Sequence, residues 1–128
     1  MAHHTSMQKK RHGALALLEF ETIAAGIQAS DLMVKSAPIA LLRCGSIHPG
    51  RFLILVGGSV ASTEEAFAVG VKLGDAQHSL TGRVFLGDVH PDLHDAVLGT
   101  RRQASGDALA VFETRSSPAL LAAIDAAI

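Results

Sequence analysis

Residues 47–65 read Ile47-His48-Pro49-Gly50-Arg51-Phe52-Leu53-Ile54-Leu55-Val56-Gly57-Gly58-Ser59-Val60-Ala61-Ser62-Thr63-Glu64-Glu65. The Pro-Gly pair marks a tight turn, the apolar run Phe52–Val56 has strand length, and Gly57-Gly58 releases the chain into a helix. Either Ser59 as N-cap, or Ser62 with Glu65 as a capping box, opens that helix. Ala66, Phe67, Val69 and Val71 follow on it, and the glycines at 70 and 74 predict its end.

Upstream, Ala14–Phe20 (ALALLEF) is an apolar run of strand length, and Thr22 offers an N-cap oxygen to the residues after it. Over 23–36, Ile23, Ile27 and Val34 recur at helical spacing beside a smooth flank of Ala25, Gly26 and Ala29, so an amphipathic helix lying on a sheet is expected. Pro38 stops it, Ile39–Leu42 is a further strand, and Cys44–Gly50 reads as the loop to Phe52. Downstream, Val84–Leu86 is a short strand and Pro91–Leu98 a small helix with proline in its first turn. The order β-α-β-β-α-β describes an α+β domain of the ferredoxin-like, split βαβ kind, with both long helices on one face of a four-stranded sheet. The opposite face then needs a partner or a polar surface.

Composition narrows the class. With 128 residues the chain has room for one domain with a real core. Apolar residues make up 48%, but there is no Trp or Tyr, so the core rests on small and aliphatic side chains. Eleven Lys and Arg against twelve Asp and Glu leave a formal charge of −1, which argues against a nucleic-acid binder. The longest apolar runs fall far short of the roughly 20 residues that cross a bilayer, so no membrane span is expected. The single cysteine, Cys44, cannot form an internal disulfide, fits a reducing compartment, and is expected in a strand or the core as a small hydrophobe. Residues 1–13 read as a flexible lead.

Beyond the polar linker 100–107, which contains Arg101-Arg102, the sequence starts again. Placing Ala14 on Ala108, an offset of 94, matches Ala14/Ala108, Leu15/Leu109, Ala16/Ala110, Glu19/Glu113, Ala25/Ala119, Ala29/Ala123 and Asp31/Asp125 without a gap. Residues 108–128 are therefore the incomplete start of a second copy of the domain at 14–99. One strand and one helix cannot bury the stripe Leu120, Leu121, Ile124 and Ile128 alone, so this segment docks elsewhere, swaps onto a neighbour or stays exposed.

Several motifs now converge: Ala14-Leu15-Ala16-Leu17-Leu18-Glu19, Ala29-Ser30-Asp31-Leu32-Met33-Val34-Lys35-Ser36-Ala37, Ile47-His48-Pro49-Gly50-Arg51, and Val56-Gly57-Gly58-Ser59-Val60. Together they resemble the bacterial microcompartment (BMC) shell proteins. The Pro-Gly-Arg turn, Val89-His90-Pro91 and the restart at Ala108 are most similar to the tandem-domain class, in which three chains build a pseudohexagonal tile. The resemblance implies a structural, non-catalytic protein that forms homo-oligomeric tiles (hexamer or trimer) and meets other shell proteins and encapsulated enzymes within the bacterial cytoplasm. It places a metabolite pore at Ser46, Ile47, His48, Pro49 and Gly50, and lateral edge contacts at Lys35 and His90. In some tandem relatives a cysteine at the position of His48 holds an iron–sulfur cluster; the histidine here argues against one.

Each residue has a plainer reading as well. Convergent copies of His48 would suit a divalent metal or a protonation gate, whereas a solvated pore histidine does neither. Lys35 also suits the end of its helix by charge. Gly57-Gly58-Ser59 lacks the Lys-Ser/Thr ending of a phosphate-binding P-loop, and Ser59, His90 and Asp92 lack the elbow motif of a hydrolase, so no cofactor and no catalysis are expected. The rival from another class is a soluble ferredoxin-like regulatory domain that binds a small ligand between subunits.

Overall fold

The computed structural model describes residues 11–48, 50–101, 103 and 105–128, and at His48 the backbone only. Strand β1 (Ala14–Phe20) leads into helix α1 (Ile23–Ser36), strands β2 (Ala40–His48) and β3 (Arg51–Gly58), helix α2 (Val60–Ala76) and strand β4 (Leu80–Leu86). Helices α3 (Pro91–Val97) and α4 (Ser117–Ala127) follow. The sheet order is β2-β3-β1-β4 with β1 antiparallel to both its neighbours, which is the split βαβ arrangement expected from the element order.

Strand β1 is central and buried along its whole length. That explains why ALALLEF does not alternate apolar with polar: both of its faces are covered. Ala16, Leu18 and Phe20 face one core with Ala25, Ala29 and Met33 of α1, Ala66 of α2, and Phe52, Ile54 and Val56 of β3. Leu15 and Leu17 face a second core with Leu55, Leu86, Val89, Leu93 of α3 and Leu121 of α4. The face expected to be polar or to await a partner is thus apolar and covered by this chain's own α3 and α4.

Helix ends follow their local chemistry. The Thr22 hydroxyl caps α1 by accepting from the Ala25 N–H at 3.2 Å, and Ser59 rather than Ser62 caps α2, accepting from the Ser62 N–H at 3.2 Å. Helix α2 runs past Gly70 and Gly74, because both glycines are packing points: a β-carbon at Gly70 would stand 2.7 Å from Met33 Sδ, and one at Gly74 3.0 Å from Leu80 Cβ. The true stop is His78, held at φ 51, where Ser79 N–H donates to Gly74 O and His78 N–H to Asp75 O.

Three further expectations are revised. Ile23, Ile27 and Val34 mark the helix by their spacing, but the face of α1 on the sheet is Ala25, Gly26, Ala29, Ser30 and Met33, and Ile27 is 56% exposed. The span 44–48 belongs to β2 and not to a loop, and Cys44, although on a strand, is exposed rather than in the core. Residues 11 and 12 of the expected lead are tied to α3, through Arg11 Nη2 to Asp95 Oδ2 at 2.9 Å and His12 N–H to the buried His94 Nε2 at 3.1 Å. Residues 1–10 lie outside the described residues.

In the segment expected to begin a second copy, Ser117–Ala127 form a helix and residues 108–113 form no strand. Ser116 caps α4 by accepting from the Ala119 N–H at 3.3 Å, and these two residues stand at the 94-residue offset from Thr22 and Ala25. Residues 108–113, which align with β1, pair with no strand among the described residues, and Leu109 is 89% exposed.

Candidate pore turn and edge residues

The expected pore residues lie where β2 becomes β3. His48 pairs with Arg51, which leaves a two-residue connection at positions 49 and 50, and Gly50 takes φ 84, the left-handed region that glycine enters without steric cost. Ser46 pairs with Phe52 while His48 pairs with Arg51, so Ile47 sits at a step in the register. Ser46 and Gly50 are exposed and Ile47 is half-buried. Pro49 and the His48 side chain lie outside the described residues. The hairpin thus presents the Ser46 hydroxyl and backbone amides at one end of the sheet, a set suited to hydrogen bonding with polar solutes.

Beneath the turn lies an ion pair that motif reading missed. Arg51 Nη1 stands 3.3 Å from Glu19 Oε2; the arginine is partly exposed, the glutamate side chain only 2% so. Thr81 Oγ1 lies 2.9 Å from the same Oε2 and 3.1 Å from the Glu19 carbonyl oxygen. Glu19 pairs with Gly82 and Phe20 with Leu80, so Thr81 is the extra residue of a bulge in β4. The sequence did hold a signal: an acid closing a wholly apolar strand must find partners once buried.

The two edge candidates stand apart from the turn and are exposed. Lys35 Nζ reaches Asp31 Oδ2 at 2.7 Å one helical turn away, a surface pair that contributes well under ~1 kcal/mol to folding. His90 caps α3, its Nδ1 accepting from the Asp92 N–H at 3.1 Å, which puts the ring proton on Nε2. The structure does not bring Lys35 and His90 into one cluster with the turn within a single chain. Among the described residues no group of three or more His, Cys, Asp or Glu is placed to hold a metal, and no helix is long and apolar enough to cross a membrane.

Comparison with known proteins gives a consistent result. The BMC domain profile matches residues 14–87, the span of the whole four-stranded sheet. The chain is 35% identical over 115 residues to the bacterial microcompartment shell protein PduT of Citrobacter freundii, covering 90% of this chain and 61% of that protein. It is 32% identical over 90 residues to the shell protein EutK of Escherichia coli K12, covering 70% of this chain and 54% of that one. A crystal structure of a microcompartment protein from Desulfitobacterium hafniense superposes with a TM-score of 0.68 at 29% identity, over 88% of this chain and 61% of the other. The chain therefore spans between half and two thirds of the length of these relatives.

Proposed function

We infer the role of this chain from one premise: it belongs to the BMC domain family. The reading is a structural shell protein of a bacterial microcompartment, housed with its compartment in the cytoplasm, that assembles with its own copies into a cyclic tile and laterally with other shell proteins. Catalysis is not part of this role; the enzymes are those enclosed by the shell that such tiles build. The observation that carries the reading is the coincidence of the family match at 14–87 with a complete split βαβ sheet ending in a two-residue turn. The relatives' shared description favours this over a ligand-binding regulatory domain.

In a tile the β2–β3 turns of the copies meet at the axis, so Ser46, Ile47, His48, Pro49 and Gly50 line the pore. Passage is then governed by the Ser46 hydroxyl and backbone amides, with His48 proposed as the site of a divalent metal or of a protonation gate. Lys35 and His90, being exposed, serve the flat lateral contacts that a repeating array requires.

The test is the mass of the purified assembly by light scattering, with electron microscopy of the same sample and conductance across planar bilayers. Rings of six or three copies are expected, with Ser46→Trp lowering conductance and His48→Ala abolishing bound zinc or the pH dependence of conductance. Monomers or closed dimers would overturn the shell reading. Rings whose conductance ignores Ser46→Trp would overturn the pore assignment alone.

A further inference from the structure

Arg51 occupies a position that makes a bare charge consequential. It is the first residue after the turn and the register partner of His48, so every copy in a ring brings one arginine to the base of the turn. A ring of arginines at a constriction selects anions. This arginine is not bare.

The Glu19 carboxylate is buried beneath it, and the polar partners on its Oε2 are Arg51 Nη1 at 3.3 Å and Thr81 Oγ1 at 2.9 Å. The acid is fixed from both sides. Strand β1 is central, and Thr81 reaches it only because the β4 bulge inserts one residue opposite the step from Glu19 to Phe20. Glu19 also floors an open hollow of about 480 Å³, walled by residues 112–117 and Leu120 of the second copy and carrying the charges of Glu113 and Arg115. A buried acid beside one half-exposed arginine is arranged to compensate that arginine's charge and to hold its guanidinium back on the sheet.

We propose that Glu19 is a positioning residue of the pore: it neutralises and restrains Arg51 at the base of the β2–β3 turn, so that the opening is set by a balanced pair and not by a ring of free cations. This rests on the pore reading of the preceding section. Glu19 does not line the pore itself; it acts through Arg51.

The experiment measures reversal potentials under a potassium chloride gradient for full-length tiles in planar bilayers, comparing Glu19→Gln, Arg51→Gln and the double variant with the parent. Glu19→Gln frees the arginine and is expected to raise the chloride-to-potassium permeability ratio about tenfold at ~0.1 M salt, an effect that shrinks towards none at ~1 M as the Debye length falls to ~3 Å. Arg51→Gln leaves the acid without its countercharge and shifts the ratio the opposite way. The double variant returns to the parent ratio, which loss of structure alone would not produce. An unchanged ratio in Glu19→Gln, or an unrestored ratio in the double variant, while Ser46→Trp still blocks conductance, overturns this inference and leaves the pore standing. Should Ser46→Trp leave conductance unchanged, the pore reading fails and this inference falls with it.

Discussion

Gly26→Ala tests which face of α1 meets the sheet. A β-carbon at Gly26 would stand 2.2 Å from Phe52 Cδ1, 2.5 Å from Cγ and 2.7 Å from Cβ, where unstrained carbons sit about 3.5–4.0 Å apart. The ring could swing, but Phe52 Cβ is fixed by β3, and the side chain is buried. Overpacking of this kind costs about 1–3 kcal/mol, and exchanging glycine for alanine inside a helix returns about 1 kcal/mol. With three Phe52 atoms in the way the cost falls in the upper half of its range, leaving a net loss of about 1–2 kcal/mol and a fall in Tm of roughly 4–10 °C.

Two controls calibrate that figure. Gly70→Ala meets Met33 Sδ at 2.7 Å and Leu18 Cδ2 at 3.0 Å, and since a thioether on three rotatable bonds yields more readily than a ring, its net change should stay within about 1 kcal/mol. Ile27→Gln, at an exposed site, should stay within about 0.5 kcal/mol. The assay is urea unfolding followed by far-ultraviolet circular dichroism at one fixed protein concentration, since the chain has no Trp or Tyr to report by fluorescence and assembly shifts apparent stability. A neutral Gly26→Ala together with a loss of 2 kcal/mol or more (roughly a buried Ile side chain) in Ile27→Gln would mean that α1 lies on its isoleucine face, and the reasoning would be refuted.

Two further outcomes concern helix α4. Ser116→Ala removes the cap of α4 and should cost about 0.5–2 kcal/mol of local stability, read as faster amide exchange over 119–122 with β1 unchanged; equal protection in both proteins would discard the cap. Leu121→Ala opens a cavity against Leu15, Leu17 and Leu93 and should cost about 2–5 kcal/mol of global stability, measured by the same urea titration. A global value unchanged by Leu121→Ala would show that α4 does not cover the second core in solution.

The elements that sequence placed well are those whose signals are local. Thr22 and Pro38 bracket α1, and Pro91 opens α3, because a capping oxygen or a missing N–H acts within one turn. Tertiary choices were read less well. Ile23, Ile27 and Val34 share one stripe, yet the sheet selects the small face because Phe52 already fills the space above β3. Gly70 and Gly74 carry the composition of a helix stop, and only the approach of Met33, Phe20 and Leu80 shows that they serve packing. At the site, the Pro-Gly pair made the connection between His48 and Arg51 legible as a turn, although residues 46–48 are strand. The Glu19–Arg51–Thr81 cluster was not legible, since Arg51 and Thr81 lie 32 and 62 residues from Glu19 in sequence and meet it only through sheet order and a bulge.

The segment aligned with 14–34 at an offset of 94 shows the same division within one chain. A helix cap is satisfied by its own neighbours, so Ser116 and Ala119 reproduce the geometry of Thr22 and Ala25 at the 94-residue offset. A strand is satisfied only by other strands: β1 owes its buried, extended form to β3 and β4 on either side. Residues 108–113 carry the sequence of β1 without such neighbours among the described residues, and so expose Leu109, Val111 and Phe112. Helix α4 lays Leu121 and Ile124 on the second face of the sheet centred on β1. Segments aligned at one offset thus take different forms, because a helix cap closes within its own turn whereas a strand needs neighbouring strands.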